Sequence, residues 1–305
     1  MIKVEYLDDV VLREWYWEHV KYIIGRNKKK SLRNALEKIW AERLTDLDIL
    51  YDIIFEELSV LVLRYKWIGD YVEKCNQNDS DQENNIIMHY IDEKKLTAKI
   101  RVELMDRMNV RVCPYCNQQY IYMIHGRDTV RYLGDLDHVM PKKRYPLFAL
   151  SLWNLVPACK SCNQIFKGKK QKEILSPLED GFGEDCIFRI KYHNVEAIRG
   201  ASTDFDVEWS NCAKDIEKKN KITNNIDVFQ LNEIYKVHKR EIQLILWKKA
   251  VFSNIVYRKS INSIIKSVDN GGLEMEMLLY GMDLSEDKLG EQPHAKMTHD
   301  LIKYN

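Results

Sequence analysis

The chain has 305 residues, of which 45% are hydrophobic and 10% aromatic, and its 47 basic and 46 acidic side chains leave a formal charge of +1. That apolar content supports a real core and excludes an intrinsically disordered chain, which lacks the hydrophobicity to offset its ordering entropy. The near-neutral balance excludes a uniformly basic surface, so any footprint for nucleic acid must be local.

From Asp8 to about Met108 apolar residues recur at helical spacing. They run through Val11, Trp15, Val20, Ile23 and Ile24, then Leu32, Leu36, Ile39 and Trp40, then Leu47, Leu50, Ile54, Leu58 and Leu61. This predicts helices, with breaks at Gly25 to Lys30, near Thr45 and across the polar stretch Asn76 to Asn85. The longest apolar runs, near Ile53 and Val60, are interrupted by Glu56, Glu57 and Arg64. No signal peptide or membrane span is therefore read, and a cytosolic protein is expected. A last helix, about Asn84 to Met108, should lead into Cys113.

Gln119 to Ile124 and Thr129 to Leu133 are rich in tyrosine and β-branched residues on either side of His125-Gly126-Arg127-Asp128, which predicts a β-hairpin. Leu136 to Met140 should be strand up to Pro141, Pro146 to Asn154 irregular or briefly helical, and a short helix should start at Cys159. After a loop at Glu179 to Glu184, short strands are expected between Ile187 and Val207. The helical period returns from Asp215 to the end, with one long helix from about Asn232 to Val268. The predicted fold class is α+β, in three regions: a helical 1–108, a central 109–185 and a mainly helical 186–305. No GxxxxGK[ST] phosphate loop and no internal repeat occurs, so nucleotide hydrolysis by this chain alone is not expected.

Of the seven cysteines, Cys113, Cys116, Cys159 and Cys162 form two CxxC pairs, while Cys75, Cys186 and Cys212 stand alone. Such an arrangement fits metal binding in a reducing compartment rather than a disulfide framework. Two pairs present four thiolates to one tetrahedral Zn2+, a closed and therefore structural site. The gap between them exceeds the roughly 15 to 20 residues of a simple zinc ribbon, so the metal closes a loop that contains something else. That loop holds Asp135-Leu136-Asp137-His138, Pro141 and Trp153-Asn154-Leu155, and Asn163 directly follows the last cysteine.

The runs CPYCNQQY, DLDHVMPKKRYP, WNLVPACKSCN and the FKGKK that follows resemble the core of the HNH (ββα-metal) nuclease superfamily embedded in a zinc-bound CxxC pair. A related Asp-x-Asp-His run occurs in the HNH domain of CRISPR effector nucleases. The resemblance covers about a fifth of the chain. It implies a small zinc-stabilised core between mostly helical flanks, and a metal-dependent endonuclease with DNA as the expected substrate.

Phosphodiester hydrolysis needs an activated water, a metal to take up charge on the phosphate and the departing 3′-oxygen, and a rigid frame. His138 would be the base, mostly neutral in the cytosol at an ordinary pKa of about 6.5. Asp137 and the amide oxygen of Asn163 would hold one Mg2+ or Mn2+, hard ions that favour oxygen ligands. Many family members carry His where this chain has Asn163. Asn154, by the resemblance, would hydrogen-bond backbone around His138 and hold it in place. Adjacent strand residues point to opposite faces, so Asp137 and His138 reach one cleft only through a distortion at the strand end, near Pro141. Plainer roles stay open: Asn154 as a turn former, Asn163 as a helix cap, Asp135 as a neighbour without a metal role.

Lys142, Lys143 and Arg144 follow His138, and Lys160, Lys167, Lys169, Lys170 and Lys172 lie around the second CxxC pair, a local basic rim suited to phosphates. Lys167 is the foremost candidate for phosphate contact, with Lys142, Lys143 and Lys169 beside it. The segments YPLFALS (Tyr145 to Ser151) and IDVFQLN (Ile226 to Asn232), with Tyr235 and His238 downstream, are similar to bacterial HNH proteins of antiphage systems, among them the nuclease subunit of Septu-type systems. That likeness implies an ABC-type ATPase partner docking on the helical flanks, with Tyr235 and His238 as packing residues. The alternative is a zinc-stabilised nucleic-acid- or protein-binding module that does not cleave; intact Asp137, His138 and Asn163 favour the enzyme.

Overall fold

The computed structural model describes residues 1–5, 9–20, 53–63, 97–127, 130–168, 170, 172–268 and 275–305. The helices expected between 21 and 50, the breaks at Gly25 to Lys30 and Thr45, and the loop Asn76 to Asn85 lie outside the described residues. The chain divides into two units, one made of Val4–Val110 with Ile121–Lys160, the other of Met1–Lys3 with Arg111–Tyr120 and Ser161–Asn305.

In the first of these units, helix α1 (Val10–Val20) begins where the Asp9 carboxylate accepts the amides of Val11 and Leu12, at 2.8 and 3.2 Å. This is the usual way an aspartate satisfies orphan donors at a helix start. One stripe, Leu12, Tyr16 and Val20, is buried. Residues 53–55 and 58–63 are also helical. Helix α2 (Ala98–Met108) is capped by the Thr97 hydroxyl on the Ile100 amide and ends at Asn109 in the left-handed conformation, φ 48°, which asparagine tolerates. It packs on α1, with the Arg107 guanidinium 4.7 Å over the Trp15 ring.

Two small antiparallel sheets follow. Strands β1 (Met123–His125) and β2 (Val130–Tyr132) form the expected hairpin, shorter than its sequence pattern. Strand β3 (Asp135–His138) pairs with β4 (Leu155–Ala158), so that Asp137 faces Val156 and His138 faces Leu155 across the ladder. The β3 strand stops at His138, short of the expected Met140. The fully buried β4 was not expected, because a run of four apolar residues containing Pro157 gives no alternation to read. Pro157 is tolerated there because each strand of a two-stranded sheet keeps an edge that owes no ladder bond. Between β3 and β4 run two 3-10 turns, Pro146–Leu150 and Leu152–Asn154. Long-range bonds tie them to the helices: Tyr16 Oη donates to the Leu150 carbonyl, and Trp153 Nε1 to that of Phe55, each at 2.9 Å.

The other unit is built on a longer hairpin, β5 (Cys186–Tyr192) against β6 (Phe205–Asn211), in register from Cys186 opposite Asn211 to Tyr192 opposite Phe205. A short helix, α3 (Val195–Ile198), lies in the connection. The period-2 alternation of β6 buries Phe205, Val207 and Trp209. Helices α4 (Ile216–Val228) and α5 (Leu231–Tyr235) pack on β6, as the C-terminal helix Ala295–Tyr304 does on β5. Phe188, Trp209 and Tyr235 meet at the centre with every pair of ring centroids 5.3 Å apart.

The long helix expected from Asn232 to Val268 is instead several pieces. A 3-10 turn, Lys236–His238, separates α5 from α6 (Lys239–Phe252), and α7 (Ile255–Val268) starts afresh. Apolar periodicity runs through the second break, but Asn254 Oδ1 accepts the Val256 amide at 2.9 Å and so caps a new helix. Helix α8 (Met275–Tyr280) precedes the C-terminal helix, which is α9. Within α9 the Lys296 ammonium lies 2.6 Å from both oxygens of Asp300, with side chains only 3% and 0% exposed. Helices with small antiparallel sheets make the class α+β, as predicted. No described helix is long and apolar enough to cross a membrane.

Candidate functional site

The sulfurs of Cys113, Cys116, Cys159 and Cys162 all lie within 4.8 Å of one another, and all four residues are buried. Around a tetrahedral Zn2+ with Zn–S bonds of about 2.3 Å the sulfurs would sit roughly 3.8 Å apart. The cluster therefore needs only a small contraction to hold such an ion. Among the described residues no other group of three or more His, Cys, Asp or Glu side chains is placed to bind a metal.

The first CxxC pair forms a tight knuckle. Cys113 N–H donates to the Gln119 carbonyl at 2.9 Å, and Asn117 N–H turns back to the Cys113 carbonyl at 2.8 Å. Asn117 closes the turn in the left-handed region, φ 50°. Residues far along the chain hold this knuckle from below. The Tyr115 ring stacks on Phe229 with centroids 4.3 Å apart, and Tyr235 Oη donates to the Cys116 carbonyl at 2.7 Å. The buried Asn117 side chain donates to the Leu289 carbonyl and accepts the Lys296 amide, both at 3.0 Å. Burial raises the Tyr235 phenol well above its ordinary pKa, so it stays protonated and donating. Sequence reading gave Tyr235 only a packing role and passed over Tyr115, Asn117 and Phe229. The IDVFQLN segment that Phe229 belongs to stood out in the sequence, but its distant target did not.

The second pair ends differently. Cys159 follows β4, and Cys162 sits in the short helix expected here, which is a π-helical turn, Ser161–Lys167. Gly168 N–H reaches back to the Asn163 carbonyl at 2.9 Å, five residues away, which is the π spacing. Such turns are rare and recur at functional sites. Asn163 is half-buried within it.

Asp137 is 4% exposed and His138 half-buried. His138 Nε2 stands 3.1 Å from the Ala149 carbonyl. A carbonyl can only accept, so this bond puts the proton on Nε2 and the lone pair of the neutral ring on Nδ1. Asn154, fully buried, grips the chain on both sides of this contact. Its carbonyl accepts Val139 N–H at 3.0 Å and its Oδ1 accepts Met140 N–H at 2.7 Å. Its Nδ2 donates to the Phe148 carbonyl at 2.9 Å, in the turn that carries Ala149, and to that of Met140 at 3.2 Å. Asp135 is half-buried at the start of β3.

The predicted basic rim divides. Lys143 and Lys160 are exposed, and Lys142 and Arg144 half-buried. Lys170 and Lys172 are engaged at the end of α4, with the Val228 carbonyl and the Asp227 carboxylate, each at 3.3 Å. Lys167 is 6% exposed, a packed residue in this structure rather than one on the rim. Lys169 lies outside the described residues. Compared with known proteins, the chain matches no family model, no curated protein and no solved structure.

Proposed function

We propose that this chain is a metal-dependent nuclease of the HNH type, with His138 as general base and the four cysteines holding a structural zinc. The single observation that carries the reading is the way His138 is held. Its Nε2 is committed to the Ala149 carbonyl, which makes Nδ1 the basic atom, and the buried Asn154 binds both backbone segments that set the ring's position. A base that must take a proton from water needs one nitrogen fixed as donor and the other presented as acceptor. As Nδ1 gains the proton, the Ala149 carbonyl stays hydrogen-bonded to the imidazolium and stabilises its charge.

Asp137, next in sequence, supplies a buried carboxylate. A hard divalent cation such as Mg2+ or Mn2+ takes one or two carboxylates and keeps several waters, so this donor fits it. When bound, the ion would supply charge stabilisation at the scissile phosphate and the departing oxygen. Asn163 has its ligand role from the resemblance alone. Lys142 and Lys143 follow His138 in sequence and supply candidate phosphate contacts. The similarity of two segments to Septu-type nuclease subunits supports a place in antiphage defence beside an ABC-type ATPase.

The test is incubation with supercoiled plasmid, and separately with RNA, in Mg2+ or Mn2+, with and without EDTA. Nicking or linearisation that EDTA and His138→Ala each remove is the expected result. A zinc-replete, folded protein that cuts neither substrate with either metal sinks the nuclease reading.

A further inference from the structure

One face of the β1–β2 ribbon is unaccounted for by the site above. Ile124 pairs with Arg131 in the ladder, and Leu133 N–H donates to the Tyr122 carbonyl at 2.8 Å. Because side chains alternate along each strand, Tyr122, Ile124, Arg131 and Leu133 share one face. Arg131 is exposed, and Tyr122, Ile124 and Leu133 are 56%, 39% and 45% exposed. The opposite face turns toward α2: Met123 and Tyr132 are half-buried, and His125 lies 3.8 Å from Asp106. Two aliphatic side chains held in water on one face add little to the stability of a ribbon this short.

We propose that this face binds a nucleic-acid strand, with Tyr122 stacking on a base and Arg131 engaging phosphate or a base edge; the proposal rests on the nuclease reading. The charge favours that occupant over a second protein. The four residues include a guanidinium and no carboxylate. An aromatic ring beside arginine is the usual equipment of a strand-binding surface, and a two-stranded ribbon has the dimensions to enter a major groove. The ribbon is also fixed to the strand of Asp137 and His138. Gly134 joins them, and a Cβ there would fall 2.7 Å from the Tyr132 ring, 2.8 Å from Ile121 and 2.9 Å from the Ala158 carbonyl. No larger residue passes that point without moving backbone, so a strand held by Tyr122 and Arg131 is held at a set position relative to His138.

The experiment uses the full chain, with fluorescently labelled duplex and single-stranded DNA, and reads anisotropy without added Mg2+ or Mn2+, which leaves the proposed structural zinc in place and keeps binding separate from cutting. Cleavage with Mn2+ is measured in parallel. Tyr122→Ala should weaken binding on the order of tenfold, with Tyr122→Phe restoring it. Arg131→Ala should weaken binding and lower the slope of log affinity against log salt by about one. Circular dichroism and melting temperature should stay at wild-type values, since these side chains are exposed. If wild type binds and cuts while Tyr122→Ala and Arg131→Ala bind equally well, the ribbon proposal is wrong and the nuclease reading stands. If either variant instead changes the oligomeric state at unchanged affinity, the face is an interface between copies and the proposal is likewise overturned. If wild type neither binds nor cuts, the nuclease reading falls and takes this proposal with it.

Discussion

Tyr235→Phe isolates the support that the C-terminal half gives to the first cysteine knuckle. The substitution removes one oxygen and keeps the ring, so the contacts with Phe188 and Trp209, each with centroids 5.3 Å away, survive and no cavity opens. What is lost is a buried 2.7 Å hydrogen bond to the Cys116 carbonyl. A neutral hydrogen bond contributes about 1 kcal/mol net, but where a buried partner is left unsatisfied the loss is that group's desolvation cost, about 1–3 kcal/mol. The expected loss is thus about 1–3 kcal/mol, a fall in Tm on the order of 5 °C for a chain of this size. Because the carbonyl belongs to Cys116, one of the four proposed zinc ligands, the variant should also give up zinc faster to a competing chelator. Tyr235→Ala, which adds a cavity, should cost about 3–5 kcal/mol. Thermal melts and chelator-competition traces on the two variants are the assay. A Tyr235→Phe protein that melts with wild type and holds zinc equally would show that the knuckle does not depend on this strut.

Further expectations bear on other parts of the molecule. His138→Ala should lower cleavage by at least about 10²-fold while leaving zinc content, fold and DNA binding near wild type; equal zinc loss, read by metal analysis, would mean its role has been misassigned. Cys113→Ser or Cys159→Ser should cost folding and not only turnover, because a structural zinc contributes its binding energy to the folded state; a soluble variant with unchanged Tm and metal content would contradict this. Asp300→Asn should destabilise by about 3–5 kcal/mol, since it strands the Lys296 ammonium at 3% exposure. Adding Lys296→Met to Asp300→Asn removes the stranded charge while the amide oxygen at position 300 can still accept the Phe188 N–H that Asp300 accepts at 2.9 Å, and should recover much of that loss in a denaturant titration.

The four-cysteine cluster was legible because paired CxxC spacing is a direct record of metal-ligand geometry, and the gathering of the four sulfurs agrees with it. The first hairpin was legible from β-branched and aromatic runs flanking a turn. Strand β4 was not, because Leu155–Ala158 is buried throughout and such a run has no period. The break at Asn254 was hidden for the opposite reason, an apolar period that continues through a capping residue. Around the candidate site, it was the resemblance to the HNH core that pointed to Asn154 as a residue bonding backbone near His138. The atoms it binds, on Met140 and Phe148, depend on how the turns between β3 and β4 fold. The burial of Lys167 could not be read from a run of lysines, which looks alike whether solvated or packed. The struts Phe229 and Tyr235 lay beyond reach because their partners are more than a hundred residues away in sequence.

That separation has a consequence for how the molecule is made. The knuckle of Cys113 and Cys116 leaves the ribosome long before the groups that support it: Tyr235 lies 119 residues after Cys116, and Leu289 and Lys296 lie 172 and 179 after Asn117. At synthesis rates of about 5–20 residues per second, the wait for Lys296 is on the order of ten to forty seconds. Through the first part of that interval, until Phe229 and Tyr235 appear, the first two thiolates have no strut behind them, and closing contacts over such spans is slow because the loop entropy must be met first. The frame of the first knuckle therefore closes only as translation nears its end, and a nascent chain interrupted between residues 162 and 296 carries all four cysteines without the complete frame that sets the first pair.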